Sequence, residues 1–453
     1  MLDASIDKLM QASEGRVWTA LPDAQTALIN SGLPIGETSA EDIQKELESF
    51  LPYGVGNTHP RFFGWVHGAG APSGIMAEIA AGAMNVNAGG RNHISPVIEQ
   101  QVIKWSAEMM GMPEGASGLV VSGTSMATII ALKAARDKFI ENAGAKGVPP
   151  GHLIGYTSEQ THSCVARAFD MLGLGKDNLR KVKCNEAFEI DLAALRKMMA
   201  EDRAAARKPF VIVGTAGAVN MGAIDDLEAL ADIAASENVW LHIDGAFGAT
   251  AILSEHARAR LTGLARADSL AFDFHKWLQV NYDAGCVLIR DAQAHRNAFA
   301  DRPDYLRGAE EGLAGGAFWA VDYGPELSRG FRALKVWAHL KEHGVKKLGE
   351  VIDRNIEQAQ YLEQKIKASS KLEMLAPVPL NICCFRYKFD SKNIDALNEA
   401  LVVKLQQSGT AVTSTTRIDG ALAIRVNITN HRTRFKDLDM VVDAVETLGD
   451  ALQ

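Results

Sequence analysis

Short apolar runs alternate with helical patterns along most of this chain. GLVVSG (118–123), HLIGY (152–156), FVIVG (210–214), VWLHID (239–244), SLAFDF (269–274) and CVLI (286–289) are too short for buried helices and are bounded by polar or turn residues. Runs that are apolar on both faces and separated by helices predict a mostly parallel sheet covered by helices, from Thr58 to about Lys335. Two amphipathic helical patterns precede it. The second opens at Thr38-Ser39-Ala40-Glu41, where a capping hydroxyl stands three positions before Glu41, and Pro52 closes it. Beyond the helix expected at 331–343, longer helices alternate with strands such as NICCFRY (381–387) and ALAIRVNIT (421–429). A last helix at 435–448 places Phe435, Leu438, Val441, Val442, Val445 and Leu448 on one face. The expected organisation is a helical arm (1–57), a large α/β domain (58–335) and a smaller C-terminal α+β domain (336–453).

Composition narrows the functional classes. With 453 residues, 47% hydrophobic and 23% charged, the chain has a globular composition and ample length for a large core. Its net charge of −8 and scattered basic residues argue against nucleic acid or an anionic membrane as partner. The most apolar stretch, Gly115 to Leu132, is broken by Ser117, Ser122, Thr124 and Ser125, so no membrane span is expected. Asp3 and Asp7 stand where a signal peptide requires basic residues, so a cytoplasmic location is expected. Cys164, Cys184, Cys286, Cys383 and Cys384 lack metal-ligand spacing; they read as reduced thiols, and no metal site is expected.

In open parallel sheets, ligands sit outside the carboxyl ends of the strands. Four such ends carry chemistry. After GLVVSG, the turn into a helix at Thr124-Ser125 offers backbone N–H groups and two hydroxyls, suited to phosphate or to plain capping. VWLHID ends on Asp244, a carboxylate that could equally cap the next helix. SLAFDF leads to His275 and Lys276, and a lysine among apolar neighbours is costly unless paired, snorkelling or covalently used; desolvation is expected to lower its pKa. His162 follows HLIGY on a loop or helix start, either stacking on a ligand or hydrogen-bonded as a structural residue. Together, a phosphate cradle, a stacking ring, a carboxylate for a ring nitrogen and a reactive amine are the parts that pyridoxal 5'-phosphate demands.

The segments HPRFFGW (59–65), SGTSMA, SEQTHSCVARA, HIDGAFGA, FDFHKWLQVNYD and RGFRALKVW resemble the group II pyridoxal-phosphate-dependent amino acid decarboxylases. The resemblance implies the fold type I, aspartate aminotransferase-like architecture. It implies a cytoplasmic homodimer with shared active sites, around which residues 1–57 would wrap. It further implies that Lys276 binds the cofactor covalently, Asp244 pairs with its ring nitrogen, His162 stacks on the ring, and Thr124, Ser125 and His275 hold the phosphate. Thr215 in GTAGAV matches a further cofactor-binding position. FFGWVHGAG and NVNAGGRNHISP would line the side-chain pocket, with Trp65, His67, Asn87 and Arg91 as substrate contacts.

The expected reaction is decarboxylation of an aromatic L-amino acid to the amine and carbon dioxide. Arg91 would suit an acidic substrate through a bidentate contact, or else it faces solvent as a surface arginine. Another fold type I lyase, an aldehyde synthase and a catalytically dead binding paralogue are the alternatives; the last would have lost at least one of these residues. In GLAGGAFWAVDYGPELSRGF, Tyr323 is the one tyrosine available as proton donor, or else it packs against its own Asp-Tyr-Gly-Pro turn.

Overall fold

The computed structural model describes residues 1–149, 151, 153–301, 309–316 and 318–453. They form two compact units, Met1–Pro72 with Arg354–Gln453, and Ser73–Asp353. This division does not coincide with the boundaries expected at 57/58 and 335/336, because residues 58–72 cluster with the C-terminal segment and 336–353 with the large sheet.

In the unit Ser73–Asp353, the described residues form a seven-stranded sheet. Its strands are β1 (Ser117–Val121), β2 (Leu153–Ser158), β3 (Leu179–Val182), β4 (Lys208–Thr215), β5 (Trp240–Asp244), β6 (Ser269–Asp273) and β7 (Gly285–Ile289), in the order β1-β7-β6-β5-β4-β2-β3. β3, β2, β4, β5 and β6 are parallel, whereas β7 runs antiparallel to both β6 and β1. Each apolar run of the sequence is a strand here, although His152, the first residue of HLIGY, lies outside the described residues. β3 goes unpredicted because Arg180 and Lys181 occupy its centre, which an edge strand tolerates.

The helix Thr124–Phe139 covers one face of this sheet. It buries Ala127, Ile130, Ala131, Leu132, Ala134 and Ala135 against Val121, Leu153, Phe169, Phe210 and Val287. Each large aliphatic side chain so buried contributes about 1.5–3 kcal/mol. The helix start is thereby held at the carboxyl end of β1.

In the other unit, β8 (Leu372–Met374), β9 (Ile382–Tyr387), β10 (Ser414–Ile418) and β11 (Ala421–Asn427) form an antiparallel sheet in the order β10-β11-β9-β8. The last helix, Phe435–Asp450, buries Leu438, Val441, Val442 and Val445 as its periodicity requires, while Phe435 at its first turn stays 43% exposed. The N-terminal helices Leu2–Met10, Asp23–Ile29 and Ala40–Phe50 bury none of their own residues. Ser39, not Thr38, caps the third, accepting the Asp42 N–H at 3.1 Å. Among the described residues no helix is long and apolar enough to cross a membrane.

Candidate active site

The sheet register brings the carboxyl ends of its strands level. Thr215 at the end of β4 stands beside Asp244 at the end of β5, and Asp273 at the end of β6 stands beside Gly285, itself opposite Val121 of β1. Lys276 lies just beyond β6, its side chain 22% exposed, and its Nζ is 2.7 Å from Asp273 Oδ2. The other oxygen, Asp273 Oδ1, accepts the Thr124 N–H at 2.7 Å, so one carboxylate joins the lysine to the start of the helix Thr124–Phe139.

Asp244 is buried, with Oδ1 accepting the Ala246 N–H at 3.2 Å and Oδ2 accepting the Cys164 S–H at 3.6 Å. Burial raises its pKa, and the nearby Lys276 and His162 only partly oppose that. His162 caps the helix Ser163–Met171, its Nδ1 accepting the Cys164 N–H at 3.2 Å, which leaves the ring proton on Nε2. The residue as a whole remains partly exposed. Burial in the surrounding protein lowers its pKa; Asp244 opposes the shift, and Lys276 and Arg167 add to it.

For Lys276 the outcome differs from the expectation. Burial works to lower its pKa, but the contact with Asp273 and the charge of Asp244 outweigh it, and the net direction is upward. The paired lysine is therefore a stabilised ammonium, not a spontaneously depressed amine.

Three groups fit a phosphate. The Thr124 hydroxyl is buried with no hydrogen-bond partner among the described residues, at the first position of a helix. Ser125 beside it is exposed. His275 accepts the Ala284 N–H at Nδ1 (3.0 Å), packs its ring at a tilt against Tyr282 with centroids 4.3 Å apart, and keeps Nε2 3.7 Å from Asp273 Oδ2. Thr215 sits deeper: its N–H donates to Asp225 Oδ2 at 2.8 Å, and its hydroxyl meets that of Thr161 at 3.4 Å.

The expected substrate residues are more dispersed. Arg91 lies over the Trp319 ring, 4.5 Å from its centroid, at a cavity of about 230 Å³ also lined by Asn87, Gly89, Gly90, Val321 and Leu327. Asn87 Oδ1 accepts the N–H groups of Gly89 (3.0 Å) and Arg329 (2.9 Å). Trp65, 52% exposed, and His67, whose ring lies 5.5 Å from that of Phe62, belong to the other unit.

Tyr323 lies at the opposite, amino end of β1. It stacks on Phe318 (5.2 Å), and its carbonyl accepts from His295 Nε2 at 2.7 Å, while His295 Nδ1 bonds the hydroxyl of Ser117, the first residue of β1. The chain does not itself bring Tyr323 beside Lys276. Ala317 of the same Gly-rich segment lies outside the described residues.

Two residues of this cluster, Asp273 and Cys164, do not stand out as site residues in the sequence. Asp273 interrupts the apolar run SLAFDF, and that break is the signal that could have found it. Cys164, two positions after His162, carries no comparable mark.

The family model described as the pyridoxal-dependent decarboxylase conserved domain matches residues 22–388. An aromatic-L-amino-acid decarboxylase of Bacillus atrophaeus is 37% identical over 422 residues, covering 90% of this chain and 85% of the relative. The aromatic-L-amino-acid decarboxylase of Sus scrofa is 30% identical over 458 residues, covering 95% and 91%. The crystal structure of Oryza sativa TDC with PLP and tryptamine superposes with a TM-score of 0.91 over 99% of this chain and 96% of that one; at 24% identity this likeness speaks to the fold, which is fold type I. A lysine, a carboxylate and a histidine gathered at the strand ends of that fold thus agree with an independent match over most of the chain, which belongs to the pyridoxal-dependent decarboxylase family of carboxy-lyases.

Proposed function

We propose that this chain converts an aromatic L-amino acid to the corresponding amine and carbon dioxide, with pyridoxal phosphate held by Lys276, Asp244, His162, Thr124, Ser125, His275 and Thr215. The observation that carries the reading is the convergence of Lys276, Asp244 and His162 beside a helix start whose buried Thr124 hydroxyl lacks a partner among the described residues. When bound, pyridoxal phosphate supplies an electron sink for the carbanion left at Cα as carbon dioxide departs. In this assignment the Asp244 carboxylate, fixed by Ala246 and Cys164, holds a proton on the ring nitrogen. His162 lays its ring against the cofactor from a rigid capping position. Thr124 and Ser125 donate to the phosphate at the positive end of the helix dipole.

An aromatic substrate is supported by aromatic-L-amino-acid decarboxylases among the relatives. It is also favoured over an acidic one by Arg91, whose guanidinium is already engaged with the Trp319 ring. Homodimerisation through an arm of residues 1–57 is part of the proposal. Leu2, Ile6, Met10, Leu28, Ile29, Ile43 and Leu47 expose apolar surface on that arm, and Met76, Ile79, Ile94 and Val97 expose more on the helices after it. Tyr323 acts as proton donor in this reading only if it serves the site of a second copy. The free state of all five cysteines suits a reducing, cytoplasmic compartment.

The test is carbon dioxide release by the purified protein across aromatic and acidic amino acids, with amine, aldehyde and peroxide measured together. Phenylalanine, tyrosine, tryptophan or dihydroxyphenylalanine should be turned over to amine without stoichiometric peroxide, and Lys276→Ala should abolish turnover. Turnover confined to acidic substrates, or a borohydride-stable adduct persisting on Lys276→Ala, refutes the assignment.

A further inference from the structure

Asp273 has no part in the chemistry above, yet both of its oxygens are engaged there. The carboxylate is 2% exposed; Oδ2 meets Lys276 Nζ at 2.7 Å and Oδ1 accepts the Thr124 N–H at 2.7 Å. Gly285 leaves the space for it, since a Cβ there would fall 2.6 Å from Asp273 Oδ1 and 2.5 Å from the Gly123 Cα. A buried carboxylate stripped of its counter-charge is costly, so a cation beside it is strongly favoured. His275 Nε2 is 3.7 Å away, but burial lowers the pKa of that ring and keeps it neutral, which leaves the ammonium of Lys276.

We infer that Asp273 is the resting partner of the Lys276 side chain, holding its ammonium beside the phosphate-binding turn whenever the amine is not covalently engaged with the cofactor. This rests on Lys276 being the cofactor lysine. Asp273 is then a positioning residue that acts through Lys276: it fixes where the amine waits and keeps a proton on it. The other groups facing that amine are Asp244, Cys164, His162 and His275. Asp244 is less suited to the task, because its oxygens are occupied by the Ala246 N–H and the Cys164 S–H. The amine must be unprotonated to attack an aldehyde, so loss of the Asp273 charge should make it reactive at lower pH.

Asp273→Asn tests this, because the amide oxygen can still accept the Thr124 N–H while the ion pair is lost. Full-length protein stripped of cofactor is mixed with pyridoxal phosphate at a series of pH values, quenched with borohydride, and Lys276 labelling is read by mass spectrometry. The labelling midpoint should fall by about one pH unit or more in Asp273→Asn, roughly tenfold more labelling at a given pH below the midpoint. An unchanged midpoint overturns the inference. Lys276→Ala run alongside separates the two levels: persistent labelling there defeats the lysine assignment, whereas abolished labelling with an unshifted Asp273→Asn midpoint defeats only the role of Asp273. If Asp273→Asn does not fold, trace acetylation of the stripped wild-type protein decides. Lys276 should then titrate above the ordinary lysine range, and titration within or below it overturns the inference.

Discussion

The segment RGFRALKVW contributes Arg329 to a buried ion pair, and breaking that pair should destabilise the strand that leads into the turn at Thr124. Arg329 and Glu99 have side chains 2% and 3% exposed, with Nη2 2.6 Å from Oε1 and Nη1 2.8 Å from Oε2. The same guanidinium donates to the carbonyls of Val120 (2.6 Å) and Ala88 (3.1 Å), and Glu99 Oε1 accepts the Val120 N–H at 3.0 Å. Arg329→Met therefore strands a buried carboxylate, which costs about 3–5 kcal/mol. It also removes donors from two carbonyls, at roughly 1 kcal/mol each. A total of about 5–7 kcal/mol is comparable to the whole stability of many domains (about 5–15 kcal/mol). The double variant Glu99→Gln/Arg329→Met removes the stranded charge and should recover about 2–3 kcal/mol of coupling in a double-mutant cycle. The assay is urea unfolding of the holoprotein with cofactor absorbance followed in parallel, since Val120 adjoins the end of β1 and cofactor should be lost before global unfolding. An Arg329→Met loss below about 1 kcal/mol, with cofactor retained, would mean that the site relaxes or admits water and that the pair is dispensable.

Asp244→Asn keeps the shape of the side chain but removes the charge that would hold a proton on the ring nitrogen. Loss of about 2.7 kcal/mol or more of carbanion stabilisation lowers kcat at least about a hundredfold; near-normal kcat with cofactor bound would reduce Asp244 to a cap. For His162, Phe preserves a stacking face but not the cap to the Cys164 N–H, so His162→Phe should cost about 1 kcal/mol of stability. It should also retain cofactor better than His162→Ala. Because burial lowers its pKa, His162 is neutral at neutral pH, and any acidic limb it causes in the rate profile should lie below the ordinary histidine range and vanish in His162→Phe. Equal cofactor affinity in the Phe and Ala variants would refute stacking.

What was legible in the sequence follows from what burial demands. Strands covered on both faces must be apolar throughout, so β1, β2, β4, β5, β6 and β7 announce themselves, the edge strand β1 included, and their polar successors mark the site edge. Strand direction leaves no such trace. β7 runs antiparallel between β1 and β6, yet CVLI reads the same in either direction. The edge strand β3, with Arg180 and Lys181 at its centre, carries too little apolar pattern to stand out. Arg329 and Glu99 are far apart along the chain, and no local spacing joins them. Tyr323 illustrates the same limit: its phenol suits a donor and its DYGP context suits a turn, but only the contacts to His295 and Phe318 place it at the amino end of β1.

Asp273 is the instructive middle case. A carboxylate at the end of SLAFDF must be paired, because the strand around it is dry, so the sequence required a cation or several donors nearby without saying which. Lys276, three positions on, was a candidate on spacing alone, but only if the chain turns back on itself immediately after β6. That turn is made where the Phe274 and His275 N–H groups bond the Ala284 carbonyl and the Val280 N–H returns to the Phe274 carbonyl. The lysine is thus aimed back at the strand end it has just left, and the carboxylate that a strand-by-strand reading passes over is the group its Nζ meets, at 2.7 Å.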